Sequence, residues 1–119
     1  MGIELTPIQF MEVRKACYSK NDVEHIAMQN LSGVYILLNK TKNKPYVGQA
    51  HQLLNRVNSH FTGKGNGDVY ADYKYGDIFT IKLIKLEDSG YSTLNQLEAA
   101  TIMAYNSYTN GYNKTRGNK

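Results

Sequence analysis

The sequence predicts an α/β (α+β) domain in which a few short β-strands sit among helices. Two observations carry this. Gly33-Val34-Tyr35-Ile36-Leu37-Leu38 and Pro45-Tyr46-Val47-Gly48 are β-rich segments joined by the polar turn Lys40-Thr41-Lys42-Asn43-Lys44, which reads as a hairpin. Apolar residues at helical spacing then precede, follow and close off the β-rich regions. With 119 residues the chain has room for one compact domain, and 41% hydrophobic residues with only 2 prolines suit a packed core.

The elements follow in order. Thr6-Pro7 reads as an N-cap with proline at the first helical position. Ile8, Met11 and Ala16 continue a helix to about Tyr18. Asn21 is placed to cap a shorter helix, Asp22 to Gln29, whose acidic first turn complements the helix dipole. After the hairpin, His51 to Phe61 puts Leu53, Leu54, Val57 and Phe61 on one helical face, with Arg56 and His60 four apart on a neighbouring one. Gly63-Lys64-Gly65-Asn66-Gly67 reads as a mobile loop. It is no phosphate-cradling P-loop, because glycine follows Lys64 where serine or threonine is required. Tyr70, Tyr73 and Tyr75, expected in core or loop packing, precede a third strand, Ile78 to Leu86, in which Phe79, Ile81 and Leu83 alternate with Thr80 and Lys82. Ser92 or Thr93 opens a last helix to about Tyr108, with Leu94, Leu97, Thr101, Ile102 and Tyr105 as its buried stripe and Glu98 beside it. These elements give a helical lead-in over 1–31, a central region over 32–113 and a basic tail over 114–119.

Charge and cysteine content narrow the function. The net charge is +4, and residues 33–65 hold five basic side chains and no acidic one. One sign concentrated in the middle of the chain suits a polyanionic partner; the alternative is a solvated lysine-rich hairpin. No apolar run approaches the roughly 18 residues that cross a bilayer, and Met1-Gly2-Ile3-Glu4 lacks the regions of a signal peptide, so a cytoplasmic protein without membrane partners is expected. The single cysteine, Cys17, excludes an internal disulfide or a thiolate zinc finger and reads as a small buried hydrophobe.

Gly33-Val34-Tyr35 and Tyr46-Val47-Gly48, with ten residues between the tyrosines and Gln49 next, resemble the paired signature of the GIY-YIG nuclease superfamily, each with valine in place of isoleucine. The resemblance extends to Arg56, eight residues after Gly48, then to His60, to Glu98 on the last helix and to Asn113 in Gly111-Tyr112-Asn113, and it covers roughly residues 32–113. It implies a small three-stranded antiparallel sheet flanked by helices and, as activity, hydrolysis of DNA phosphodiester bonds by an endonuclease that uses one divalent ion, Mg2+ or Mn2+.

Such chemistry needs a base for water, charge neutralisation at the phosphoryl oxygens and stabilisation of the leaving alkoxide. By the resemblance Tyr35 is the base. A phenol with an ordinary pKa of about 10 needs adjacent cations for that role. Arg56 would grip the phosphate through its planar, permanently charged guanidinium, and Glu98 would be the sole protein carboxylate on the metal, the rest of the shell being water and phosphate. Tyr46 and His60 would orient the phosphate or nucleophile, His60 as the group titrating near pH 7. Asn113 would support the site from behind, and Gly33 and Gly48 would permit close approach. Lys40, Lys42, Lys44 and Lys64 are candidate phosphate contacts. Each residue has a plainer reading: a packing tyrosine, a surface ion pair for Arg56, a solvated helix position for Glu98. The runner-up function is a catalytically weak nucleic-acid-binding module of the same fold that acts with a partner. Nothing in the sequence chooses among duplex, single-stranded and branched DNA, so a homodimer or a specificity partner is expected to supply the choice.

Overall fold

The central strand is hydrophobic on both faces because helices cover both. In the computed structural model, which describes residues 4–117, the elements run α1 (Pro7–Tyr18), α2 (Val23–Gln29), β1 (Gly33–Asn39), β2 (Lys44–Ala50), α3 (Leu53–Phe61), α4 (Gly67–Tyr75), β3 (Phe79–Lys85), a short 3₁₀ turn (Leu86–Asp88) and α5 (Leu94–Tyr105). The three strands form one antiparallel sheet in the order β2-β1-β3, with Tyr35 opposite Gly48 on one side and Leu83 on the other. Tyr35 and Leu37 point into a core shared with Phe10, Leu53, Leu54, Val57, Phe61 and Val69. Val34 and Ile36 point the other way, against Val47 and the Leu97 and Ile102 side chains of α5. The alternation of faces along a strand thus explains the unbroken apolar run at 34–37. Among the described residues no helix is long and apolar enough to cross a membrane.

Local signals set the helix ends. Thr6 and Gln9 form a reciprocal capping box at the start of α1. Its buried face is Phe10 and Cys17, seven residues apart, whereas Ile8 is 73% exposed and Ala16 is also outside. Of the expected stripe Met11 packs on the core, half-buried, while Ile8 and Ala16 turn out; α1 packs towards α3 and β3, with Leu5 just before it paired by two backbone hydrogen bonds to Ile81. α2 starts one residue later than expected, because Asp22, and not Asn21, accepts from the His25 backbone N–H. α3 likewise begins at Leu53, not His51, and α5 stops at Tyr105, where Asn106 turns into the left-handed region at φ 54°.

The largest correction is α4. The expected loop is shorter, since Asn66 caps a helix through the Val69 N–H, Asp68 lies in its first turn, and Gly76 ends it at φ 115°. Tyr73 stands edge-on to Phe61 and Phe79 in the core, while Tyr75 is exposed. The hairpin turn is clasped to this helix. Buried Asn39 donates to Asp77 and to the Tyr112 hydroxyl, which itself donates to Asp72. Lys42 pairs with Asp72 at 2.8 Å and with Asp77 at 3.4 Å.

Candidate active site

β2 is an outer strand of the sheet, and the site assembles around its free edge. From one face come three rings. Tyr35 on β1, Tyr46 on β2 and His60 on α3 form a triangle with centroid separations of 6.2, 5.2 and 5.3 Å. Strand alternation directs Tyr46 to the same side as Gly48, and the bare Gly48 lets the Tyr35 phenol lie across β2: a methyl there would overlap the phenolic oxygen. Gly33 has a comparable cause, because a methyl would overlap the Ile84 carbonyl of β3.

The hydrogen bonds of His60 fix its tautomer. The imidazole is fully buried, its Nδ1 lies 2.8 Å from the Asn66 backbone nitrogen, and its Nε2 lies 2.7 Å from the Tyr35 hydroxyl. A backbone N–H can only donate, so Nδ1 is the acceptor and the ring hydrogen sits on Nε2, where it donates to the Tyr35 oxygen. Burial, and after it the Arg56 charge, push the His60 pKa down to about 4. The expectation that His60 titrates near pH 7 is therefore corrected: the ring is neutral there and acts as a fixed donor. Gly65 allows this arrangement, since a methyl on it would overlap the imidazole. Burial pushes the Tyr35 phenol up, and the neighbouring Tyr46 adds to the effect, while Arg56 pulls it back.

From the opposite face of β2 comes the carboxylate. Gln49 Nε2 donates to Glu98 Oε1 at 3.0 Å and to Asn95 Oδ1 at 2.8 Å, which holds Glu98 in one orientation on α5. Tyr46, Val47, Asn66, Glu98, Asn113 and Lys114 line a cleft of about 260 Å³ at the strand edge. Glu98 is its one carboxylate. Among the described residues no group of three or more His, Cys, Asp or Glu could enclose a metal ion. A single carboxylate with amides beside it is a donor set that fits a hard, largely hydrated cation such as Mg2+.

Asn113 occupies the free edge itself. Its Oδ1 accepts from the Val47 N–H and its Nδ2 donates to the Val47 carbonyl, both at 2.8 Å, so one side-chain amide pairs with β2 as a fourth strand would. Asn113→Asp keeps the first bond and sets a carboxylate against the Val47 carbonyl. It is expected to lower unfolding stability by about 2 kcal/mol, read as a lower urea midpoint, whereas an unchanged midpoint would mean that the amide does not hold the edge.

Arg56 lies on the exposed side of α3, its Nη1 3.5 Å from Ser59 Oγ, with no carboxylate in ion-pair distance among the described residues. Its charge acts on both Tyr35 and His60. The four candidate lysines are not gathered at the cleft. Lys42 is paired with two aspartates at the hairpin turn, Lys44 lies over the Tyr112 ring at 4.4 Å, Lys40 acts on Glu4 at the far side of the sheet, and Lys64 follows α3. The sequence reading missed Asn66 and Lys114. An Asn-Gly-Asp cap signal would have marked the first; no local signal marks the second.

Comparison with known proteins identifies the family and the fold. The family model of the GIY-YIG catalytic domain matches residues 31–113. The solved catalytic domain of the intron endonuclease I-TevI, in a glutamate-to-alanine variant, superposes with a TM-score of 0.59 at 25% identity, covering 74% of this chain and 97% of that one. No match was found among curated proteins. Because the matched domain spans most of the chain and contains both signature tyrosines, Arg56, His60, Glu98 and Asn113, the chain belongs to the GIY-YIG nuclease superfamily, as an endonuclease-type hydrolase.

Proposed function

We propose that the chain cleaves DNA phosphodiester bonds with one divalent ion, Mg2+ or Mn2+, held by Glu98. The observation that carries this reading is the meeting of Tyr46 with the lone carboxylate Glu98 in one cleft, with Tyr35 and His60 packed directly behind Tyr46. When bound, the ion would neutralise phosphoryl charge and assist the leaving alkoxide. Arg56, without a carboxylate partner among the described residues, grips the phosphate through parallel N–H donors. Tyr35 takes the proton of the attacking water, for which its phenol must first release its own proton to solvent and become phenolate. Arg56 favours that form by charge, and the His60 Nε2–H stabilises the phenolate oxygen by donating to it. His60 therefore serves as a donor and not as the base. The Tyr46 hydroxyl orients the phosphate or the water, Gln49 holds the carboxylate and Asn113 holds the strand.

The high phenol pKa of Tyr35 favours a second reading as well, a binding module with weak turnover. The two separate in one assay, in which matched duplex, single-stranded and branched DNA are incubated with Mg2+ or Mn2+ and, in parallel, with EDTA. Metal-dependent cleavage of at least one form is expected. Salt-sensitive binding without cleavage of any form would replace the nuclease reading by the second. Target choice would fall to a homodimer, a partner protein or the shape of the DNA, and the single buried Cys17 suits a reducing cytoplasm.

A further inference from the structure

We propose that Lys114 is a phosphate-binding residue of the cleft, taking the DNA phosphate next to the one cleaved, and that Asp68 occupies its ammonium until that phosphate displaces the carboxylate. This rests on the DNA-cleaving reading above and extends it to a residue just past the matched domain, which ends at Asn113.

The cleft has an electrostatic gap. Arg56 lies on the α3 side, Glu98 is the lining carboxylate, and none of Lys40, Lys42, Lys44 and Lys64 lines it. Lys114 does, beside Tyr46, Glu98 and Asn113. It is the one cationic side chain among the lining residues, and a strand of DNA crossing the edge of β2 places further phosphates on either side of the reacting one.

The chain around Lys114 is anchored. Before it, the Asn113 amide is clipped to Val47 by two hydrogen bonds. After it, the Arg116 guanidinium lies over the Tyr108 ring at 5.2 Å, and Gly117 sits so close to α5 that a methyl on it would come within 3.2 Å of the Ala99 Cα. The basic tail therefore folds back along α5, and the backbone of Lys114 is preorganised at the mouth of the cleft.

Its present partner is easily exchanged. Lys114 Nζ lies 3.4 Å from Asp68 Oδ2 in the first turn of α4, and the two side chains are 79% and 63% exposed. An ion pair so open to water holds little free energy and yields to a phosphate, whose charge is delivered together with released counterions. Asp68 thus neutralises the ammonium in the free protein and competes with DNA for it.

The test is binding of a fluorescein-labelled branched DNA, which presents duplex and single-stranded arms, in EDTA between about 50 and about 200 mM salt. Lys114→Ala is expected to weaken binding about three- to tenfold at the lower salt and to reduce the slope of log affinity against log salt by about one. Lys114→Arg should restore both, Asp68→Asn should tighten binding, and the thermal midpoint of each variant should match the wild type. Wild-type affinity and slope in Lys114→Ala, with Arg56→Ala impaired, would overturn the assignment and leave the nuclease reading intact. Weaker binding in Asp68→Asn would show the pair to be structural and overturn it too. Wild-type binding without salt dependence would overturn both.

Discussion

Glu98→Ala is expected to reduce metal-dependent cleavage at least about a thousandfold, while affinity for the same DNA in EDTA stays at the wild-type level or rises slightly. The asymmetry follows from the donor set. Glu98 is the one carboxylate lining the cleft, so no neighbour can take over its charge or its place on a divalent ion. Binding without metal depends on the cations, and removing a negative charge from a surface that receives phosphates opposes it in no way. Stability should change little, because the side chain is only half-buried and its hydrogen-bond partner, Gln49, keeps Asn95. Glu98→Gln is the sharper control. It retains volume and the contact with Gln49 but loses the charge, so it should be as inactive as alanine. Cleavage by either variant within about tenfold of wild type would place the metal elsewhere. Loss of EDTA binding in both would mean instead that Glu98 shapes the DNA surface and not the metal site.

The contrast between what could be read beforehand and what could not has a physical pattern. β1, the apolar face of α3 and the start of α5 at Ser92 or Thr93, of which Thr93 is the cap, are legible, because each is written in consecutive spacing or in capping residues. α4 is not: glycine opens it, three tyrosines with β-preference fill it, and its only strong signals are Asn66 before and Gly76 after. Tyr35, Tyr46, His60 and Glu98 are legible in their motif, but the protonation state of His60 is not. Protonation depends on burial and on what faces each nitrogen, and the decisive donor is a backbone N–H that exists only because Gly65 lets the loop close onto the ring. The surroundings of the lysines are illegible for the complementary reason. Charge density along the chain says nothing of which ammonium has an aspartate beside it, and Lys42 has two.

The buried imidazole makes a second large effect measurable without DNA. In the unfolded chain His60 takes up a proton as the pH falls through about 6.5, its ordinary value, whereas in the folded protein it stays neutral until about 4. Between those values the unfolded state binds the extra proton, so stability is fully present above about 6.5 and is lost as the pH falls towards 4, by about 3 kcal/mol in all. Urea unfolding at intervals across this range should show the decline. His60→Gln, whose amide can still accept from the Asn66 N–H and donate to the Tyr35 oxygen, should flatten it while remaining folded at pH 7. Asp22 and Asp72 carboxyls, held low by their hydrogen bonds to His25 and to Lys42 respectively, add their losses at the acid end of the range and remain in both proteins, so the difference between the two curves isolates His60. Nitrogen NMR of the imidazole gives an independent reading: at neutral pH Nε2 should carry the hydrogen and Nδ1 should be bare. The opposite tautomer, or a stability curve that His60→Gln leaves unchanged, would mean that the ring is not the fixed donor to Tyr35, and the phenolate would then need another source of stabilisation.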